Sequence, residues 1–178
     1  MAYVETIRDE LSAVNPQEAK IYRQNAAKYI SQLKKLDAWM SSVIASIPQK
    51  QRTLVTTHDS FGYLAKAYGI KVAGFVAPNP SLEPSVQQLA NLSRTLQNLG
   101  GKAVFIEPNA RTHVNELLSV AHQAGAKVCE IYSDTFVKNV DSYIELMTAN
   151  GKSLKSCLDP GSLPAWDFIS DGVEHDGD

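Results

Sequence analysis

The stretch LVTTHDSFGYLAKAYG, from Leu54 to Gly69, sets the architecture of this chain. It opens with a short run of apolar and β-branched residues, which is typical of a strand. After a few polar residues, apolar side chains recur at helical spacing until Gly69, a residue suited to ending a helix. The stretch therefore predicts one strand followed directly by one helix.

The same arrangement recurs along the chain and predicts four strands and four helices. Strands that alternate with helices of this length favour a parallel sheet covered by helices on both faces. We therefore expect an α/β fold, a three-layer lobe with a four-stranded parallel sheet flanked by helices. The predicted strands are Leu54–Thr56, Val72–Val76, Ala103–Ile106 and Lys127–Ile131, and the predicted helices are Ser60–Tyr68, Pro84–Leu99, Thr112–Gln123 and Asp141–Leu158.

A long helix precedes this lobe in the sequence. Asn15 and Pro16 predict its start, and apolar residues then recur alternately every four and three residues from Tyr22 to Ile47. A helix of roughly 30 residues measures about 45 Å, which is longer than one small lobe needs. It is therefore expected to extend beyond the lobe, although a helix packed on its own domain or a coiled-coil strand stays open. A shorter helix is predicted at Tyr3–Ala13.

These patterns divide the chain into three segments. Residues 1–48 hold the amino-terminal helices, residues 49–159 form the β/α lobe, and residues 160–178 form an acidic, turn-rich tail. A length of 178 residues suits one lobe with such additions better than two complete domains.

Composition and charge exclude several classes of protein. The net charge is −2 and basic residues are spread along the chain, so we expect no nucleic-acid partner. No segment reaches the roughly 20 apolar residues that a membrane-spanning helix needs, and residues 1–5 carry no signal-peptide pattern.

The two cysteines, Cys129 and Cys157, are either buried thiols or a disulfide that joins the last helix to the sheet.

Polar side chains follow three of the predicted strands. His58 follows the first, Glu107 the third and Asp134 the fourth, and the carboxyl ends of parallel strands meet at one edge of a sheet. Imidazole and carboxylate are ordinary ligands of zinc and manganese. Two ligands do not complete a tetrahedral site, so the residues alone also allow His58 to be a buried or capping histidine and Asp134 a helix cap.

Other chemistries lack their motifs. Ser60 and Ser133 are not in the G-x-S-x-G context of a hydrolase nucleophile. The two glycine-rich phosphate-binding motifs, G-x-G-x-x-G and G-x-x-x-x-G-K-[ST], are both absent from the sequence. His113 and His122 are nine residues apart on one predicted helix, a spacing that does not suit a chelating pair. His175 falls in the acidic tail, where solvation is expected.

At these residues the sequence resembles the zinc- and manganese-specific solute-binding proteins of ABC importers, a family that includes streptococcal adhesin lipoproteins. Residues 54–69 are similar to the family segment T-x-H-D-A-F-x-Y-x-A-x-x-Y-G. Four further segments match in order: Pro80–Ser85 resembles S-x-E-P-S, Phe105–Pro108 resembles F-x-E-P, Tyr132–Thr135 resembles the segment with the last metal ligand, and Tyr143–Asn150 resembles Y-x-x-x-M-x-x-N.

The resemblance implies two lobes joined by one long helix, with the metal held between them. Two histidines come from the first lobe, and a histidine or glutamate plus an aspartate come from the second. His58 and Asp134 would be the second-lobe ligands of a transported Zn²⁺ or Mn²⁺. From its place at a neighbouring strand end, Glu107 is expected to orient His58 or to pair with a lysine or arginine, and the alternative is a surface carboxylate. Manganese members often place a glutamate at position 58, so a histidine there favours zinc.

The resemblance also implies partners and a location. We expect a separate amino-terminal lobe, which this sequence lacks, a membrane permease, and a parent protein in the periplasm or on the extracellular face of the membrane. The exposed seam of the linking helix favours a homodimer. The expected role is binding rather than catalysis. The alternatives are a metal-independent interaction or adhesion module, and a small metallohydrolase with Glu107 as its base.

Overall fold

The computed structural model describes residues 1–77, 81, 83–100, 103–107, 114–134, 136–137 and 140–165. Parts of several predicted features lie outside these residues: Pro80, Leu82, Pro108, Thr112, His113, Thr135 and the tail beyond residue 165. The described chain forms two compact units, Met1–Trp39 and Met40–Pro164. The three-segment division made from the sequence stays a prediction.

The first unit is helical. Helix α1 spans Ala2–Val14, and Pro16 opens a short 3-10 turn that leads into helix α2, Ala19–Ala45. Helix α2 has 27 residues, as the long apolar seam predicted. No residue of α1 is buried.

The second unit contains a four-stranded, fully parallel sheet, which confirms the predicted fold class. The strands are β1 Thr53–His58, β2 Lys71–Ala77, β3 Ala103–Ile106 and β4 Lys127–Glu130, in the order β2-β1-β3-β4. The four residues inside β1 are all buried, because successive side chains point to opposite faces and both faces are covered.

Four helices follow the strands: α3 Gly62–Tyr68, α4 Val86–Asn98, α5 Val114–Ala124 and α6 Tyr143–Leu158. Local chemistry sets their ends. Gly69 ends α3 with a φ of +68°, a left-handed conformation that glycine adopts without strain. Ser85 opens α4 and Ser142 opens α6, each in a capping box. Gly74 in β2 allows α4 to approach closely, since a Cβ there would lie 2.8 Å from Leu92 Cδ1.

One apolar cluster lies between the sheet and helices α4 and α5. Its buried members come from three strands and both helices: Val55, Val76, Leu92, Leu96, Val104, Leu117, Val120 and Ala121. Burial of this aliphatic surface supplies the main driving force for docking the two helices on the sheet.

Two cations bind the carbonyl groups at the carboxyl end of α2. The Arg52 guanidinium donates to Ile47 O at 2.8 Å and to Ala45 O at 3.1 Å. The Lys155 ammonium, from α6, donates to Ser46 O at 3.2 Å. Positive charge and hydrogen-bond donors at this end satisfy the carbonyls that have no partner within the helix.

The alternative left open for the cysteines is settled in favour of a disulfide. Cys129 in β4 is bonded to Cys157 in α6, with a Cα–Cα distance of 6.6 Å. The last helix is therefore covalently fixed to the outer strand. None of the helices in the described part of the chain combines the length and apolar character that crossing a bilayer requires.

Candidate metal site

His58 is the last residue of β1. Its main-chain carbonyl accepts two hydrogen bonds, from the Thr56 hydroxyl at 2.8 Å and from the Ser60 N–H at 3.1 Å. The side chain is 18% exposed. The backbone at the end of this strand is therefore fixed, and the imidazole lies at the rim of the sheet where solvent reaches part of it.

Glu107 lies beside His58 and is buried. It directly follows β3, which pairs with β1 through Thr56 and Phe105, and only 1% of the residue is exposed. Its Oε1 lies 2.8 Å from Nδ1 of His58 and accepts a hydrogen bond from the Thr57 hydroxyl at 3.0 Å. The Glu107 carboxylate therefore contacts polar groups of two consecutive residues of β1, the Thr57 hydroxyl and the His58 ring.

The contact between Glu107 and His58 is electrostatic rather than a well-aligned hydrogen bond. Nδ1 of His58 and Oε2 of Glu107 are both buried, and neither has a hydrogen-bond partner of acceptable geometry. A distance of 2.8 Å nevertheless favours a proton on Nδ1, because an ionised carboxylate is an acceptor only. We assign the neutral imidazole as the Nδ1–H tautomer on this basis.

The other ring nitrogen, Nε2, faces the exposed side of the rim. The hydroxyl of Ser60, an exposed residue, hydrogen-bonds with it. In the tautomer assigned above, Nε2 carries the lone pair that a metal ion needs. A metal that binds there has to displace the Ser60 hydroxyl, which is a small movement for an exposed side chain.

Asp134 lies at the same edge of the sheet, in the segment that follows β4. It is exposed, and its Oδ1 accepts a hydrogen bond from the Ser133 hydroxyl at 3.1 Å. Strand β3 lies between β1 and β4, so the carboxyl ends of β1 and β4 are about 10 Å apart.

The segment between β4 and Asp134 is held by polar contacts. Tyr132 donates its hydroxyl to Glu130 Oε2 at 3.2 Å, and both main-chain groups of Tyr132 bind the side chain of Asn150 in α6. Burial raises the pKa of Tyr132, and the neighbouring carboxylate of Glu130 raises it further. Asn150 closes the segment that resembles Y-x-x-x-M-x-x-N, but sequence reasoning gave it no role at the site.

The strand-end residues do not form a complete metal site by themselves. Among the described residues, no group of three or more histidine, cysteine, aspartate or glutamate side chains is placed to hold a metal ion. His122 lies exposed in the last turn of α5, and His113 and His175 lie outside the described residues. Metal binding by His58 and Asp134 stays a prediction, and so does the supporting role of Glu107.

Comparison with known families and proteins gives consistent matches. The model of the ZnuA family, described as the periplasmic component A of a zinc-uptake complex, matches residues 1–157. The zinc-binding protein AdcA of Streptococcus pyogenes serotype M6 is 34% identical over 161 residues, which are 88% of this chain and 30% of that protein. The manganese-binding lipoprotein MntA of Halalkalibacterium halodurans is 31% identical over 164 residues, 89% of this chain and 53% of that protein.

Solved structures match the same part of the chain. The periplasmic zinc-binding protein TroA from Treponema pallidum superposes with a TM-score of 0.77 and 27% identity, covering 86% of this chain and 58% of that one. The laminin-binding protein Lbp of Streptococcus pyogenes gives a TM-score of 0.72 and 27% identity, covering 85% and 59%. The chain thus spans about a third to a half of the curated relatives named above.

Proposed function

Because this chain belongs to the ZnuA family, whose model matches residues 1–157, we propose that it is the carboxy-terminal lobe and linking helix of a solute-binding protein that captures zinc or manganese for an ABC importer. The role is capture and release of a metal ion, without bond-making chemistry. The chain spans 30% of AdcA and 53% of MntA, which supports its being one part of a longer solute-binding protein.

The arrangement of His58 supports this proposal more than any other observation. One nitrogen of the ring faces a buried carboxylate, and the other faces the exposed rim of the sheet. Carboxylate support behind a histidine is the usual arrangement at protein metal sites, because it fixes the tautomer and the ring orientation. Together with Asp134, His58 would supply half of the coordination shell, and the amino-terminal lobe would supply the rest.

A divided site suits a transport receptor. When two lobes each hold half of the ligands, a small relative movement makes or breaks the coordination shell. The metal can then be held tightly during capture and released at the permease. Within this scheme zinc is favoured over manganese, because imidazole binds zinc more strongly than it binds manganese.

The disulfide supports the proposed location outside the cytoplasm. Disulfides persist in oxidising compartments and are rare in the cytosol, and Cys129 is bonded to Cys157 here. We propose that the parent protein lies in the periplasm or on the outer face of the membrane, where it meets its permease.

The sequence predicts an exposed seam on the linking helix, but Met40, Val43 and Ile47 of that seam are buried, so it does not offer the apolar surface expected for a homodimer. We propose self-association through α1 instead, where Tyr3, Ile7, Leu11 and Val14 are exposed apolar residues. Light scattering at high concentration tests the proposal. A dimer mass supports it, and a monomer mass at every concentration contradicts it.

Calorimetric titration with zinc and with manganese tests the proposed function. We expect the wild-type chain to bind zinc weakly, manganese more weakly, and His58→Ala/Asp134→Ala to bind neither ion at this site. The matched control is His122→Ala/Asp37→Ala, which removes the same side chains at exposed positions away from the strand ends. Equal zinc binding by wild type and the His58/Asp134 variant would contradict the proposal, and so would the absence of binding by the wild type.

A further inference from the structure

The side chain of Asn150 makes two hydrogen bonds to one residue of the candidate site. Asn150 lies in α6 and is 1% exposed. Its Oδ1 accepts from the Tyr132 N–H at 2.8 Å, and its Nδ2 donates to the Tyr132 carbonyl at 2.8 Å. The amide therefore binds both main-chain groups of Tyr132, as the backbone of a neighbouring strand would.

Tyr132 needs these bonds because the sheet ends just before it. The Ile131 N–H still donates to Ile106 O at 2.9 Å, which extends the pairing of β3 and β4 by one residue. Beyond that point, a partly buried main chain requires other partners for its N–H and carbonyl groups. Asn150 supplies a partner for each main-chain group of Tyr132, which lies two residues before Asp134.

Other contacts between α6 and β4 act within the strand. The Ser153 hydroxyl donates to Glu130 O at 2.5 Å, the Lys127 ammonium donates to Ser156 O at 3.3 Å, and the disulfide joins Cys129 to Cys157. Among these contacts between α6 and the end of the sheet, the Asn150 pair is the one that reaches past β4 toward Asp134. These contacts already hold strand β4 against α6. Asn150 in addition fixes the main chain of Tyr132, in the segment that follows the strand.

We propose that Asn150 is a positioning residue for the metal ligand Asp134, acting through the main chain of Tyr132. The proposal rests on the proposed function, since it assumes that Asp134 binds the metal. A ligand on a held segment binds with a smaller loss of conformational entropy than one on a free segment, so its metal affinity is higher. Partners of this kind behind a ligand typically change metal affinity by about 10-fold to 100-fold.

Two substitutions at Asn150 test the proposal by different routes. Asn150→Leu has a similar size and removes both hydrogen bonds. Asn150→Asp keeps the acceptor for the Tyr132 N–H and replaces the donor to the carbonyl. Its added negative charge would by itself attract a cation, so a fall in affinity for this variant cannot come from a weaker electrostatic attraction of the metal ion.

Ser153→Ala is the matched control. It removes one hydrogen bond between the same helix and the same strand, at Glu130, but leaves Tyr132 held. Zinc affinity is measured for each variant of the 178-residue chain by NMR titration with zinc chloride, which detects weak binding. The temperature is chosen so that circular dichroism shows every variant folded, and hydrogen exchange of the Tyr132 and Asp134 amides is followed in parallel.

We expect both Asn150 variants to bind zinc at least about 10-fold more weakly than wild type, with faster amide exchange at Tyr132, and Ser153→Ala to bind within about twofold. If both Asn150 variants bind as wild type does while Asp134→Ala loses binding, the positioning role is wrong and the proposed function stands. An equal loss in Ser153→Ala would also overturn the role, since it would reflect general loosening. If Asp134→Ala binds as wild type does, or the wild type does not bind, the proposed function fails and the positioning role fails with it.

Discussion

The Oε1 atom of Glu107 lies 2.8 Å from the Nδ1 atom of His58. His58 is the last residue of β1, and Glu107 directly follows β3, the strand beside it. The carboxylate is buried behind the ring, and the opposite nitrogen faces the exposed rim. This relationship gives the histidine one orientation and one tautomer. It is the feature that makes the end of β1 a candidate ligand position rather than a simple strand end.

Replacing Glu107 tests what the buried carboxylate contributes. Glu107→Gln keeps the size of the side chain and an oxygen for the Thr57 hydroxyl, but removes the negative charge that favours a proton on Nδ1. We expect zinc affinity, measured by titration, to fall about 10-fold. Glu10→Gln, an exposed position on α1, is the control and should change nothing. Unchanged affinity in Glu107→Gln would show that the carboxylate does not support metal binding.

The disulfide is expected to contribute to global stability. It joins residues that are 28 apart in sequence, and closing a loop of this length stabilises the folded state by about 3.5 kcal/mol. Cys157→Ser should therefore lower the free energy of unfolding by about that amount in urea titrations. Wild type measured with a reductant should approach the variant, and the variant should not respond to reductant. A variant as stable as oxidised wild type would contradict this expectation.

Lys155 is expected to stabilise the end of α2. Its buried ammonium donates to Ser46 O at 3.2 Å and to Asp159 Oδ2 at 2.6 Å. Lys155→Met keeps the aliphatic length but leaves both acceptors without this partner, so we expect a loss of about 1 to 3 kcal/mol in urea unfolding. Lys152→Met, at an exposed position one turn earlier on α6, should change stability by less than about 0.5 kcal/mol. Similar losses in the two variants would argue against the carbonyl contact.

The order and type of the helices and strands could be predicted because the apolar residues of each recur with a clear period. The predicted end of β1 and the predicted start of α3, both next to the candidate site, differ from the observed ones by two residues. The sequence predicted that β1 ends at Thr56, and the strand continues to His58. Polar residues at its end look like a loop, yet His58 pairs with Ala77 of β2. Helix α3 begins at Gly62 instead of Ser60, because the Ser60 N–H closes a turn onto the His58 carbonyl.

The contacts that hold the candidate site depend on how helices and strands pack together. The spacing of apolar residues in the sequence does not reveal that packing. The strand order places Glu107 between His58 and Asp134, and this order cannot be derived from alternation of strands and helices alone. The pairing of Asn150 with Tyr132 joins residues 18 apart whose proximity depends on how α6 packs on β4. The same packing decides that Cys129 and Cys157 lie close enough to bond.

The central claim is that His58 binds the metal through Nε2, and imidazole nitrogen NMR on ¹⁵N-histidine-labelled protein tests it most directly. The chain has four histidines, and His58→Ala identifies the signals of interest by their absence. We predict that zinc moves the Nε2 signal of His58 to the range of a coordinated nitrogen while Nδ1 keeps its proton. A zinc-induced change confined to the other histidines, or coordination of His58 through Nδ1, would contradict the account.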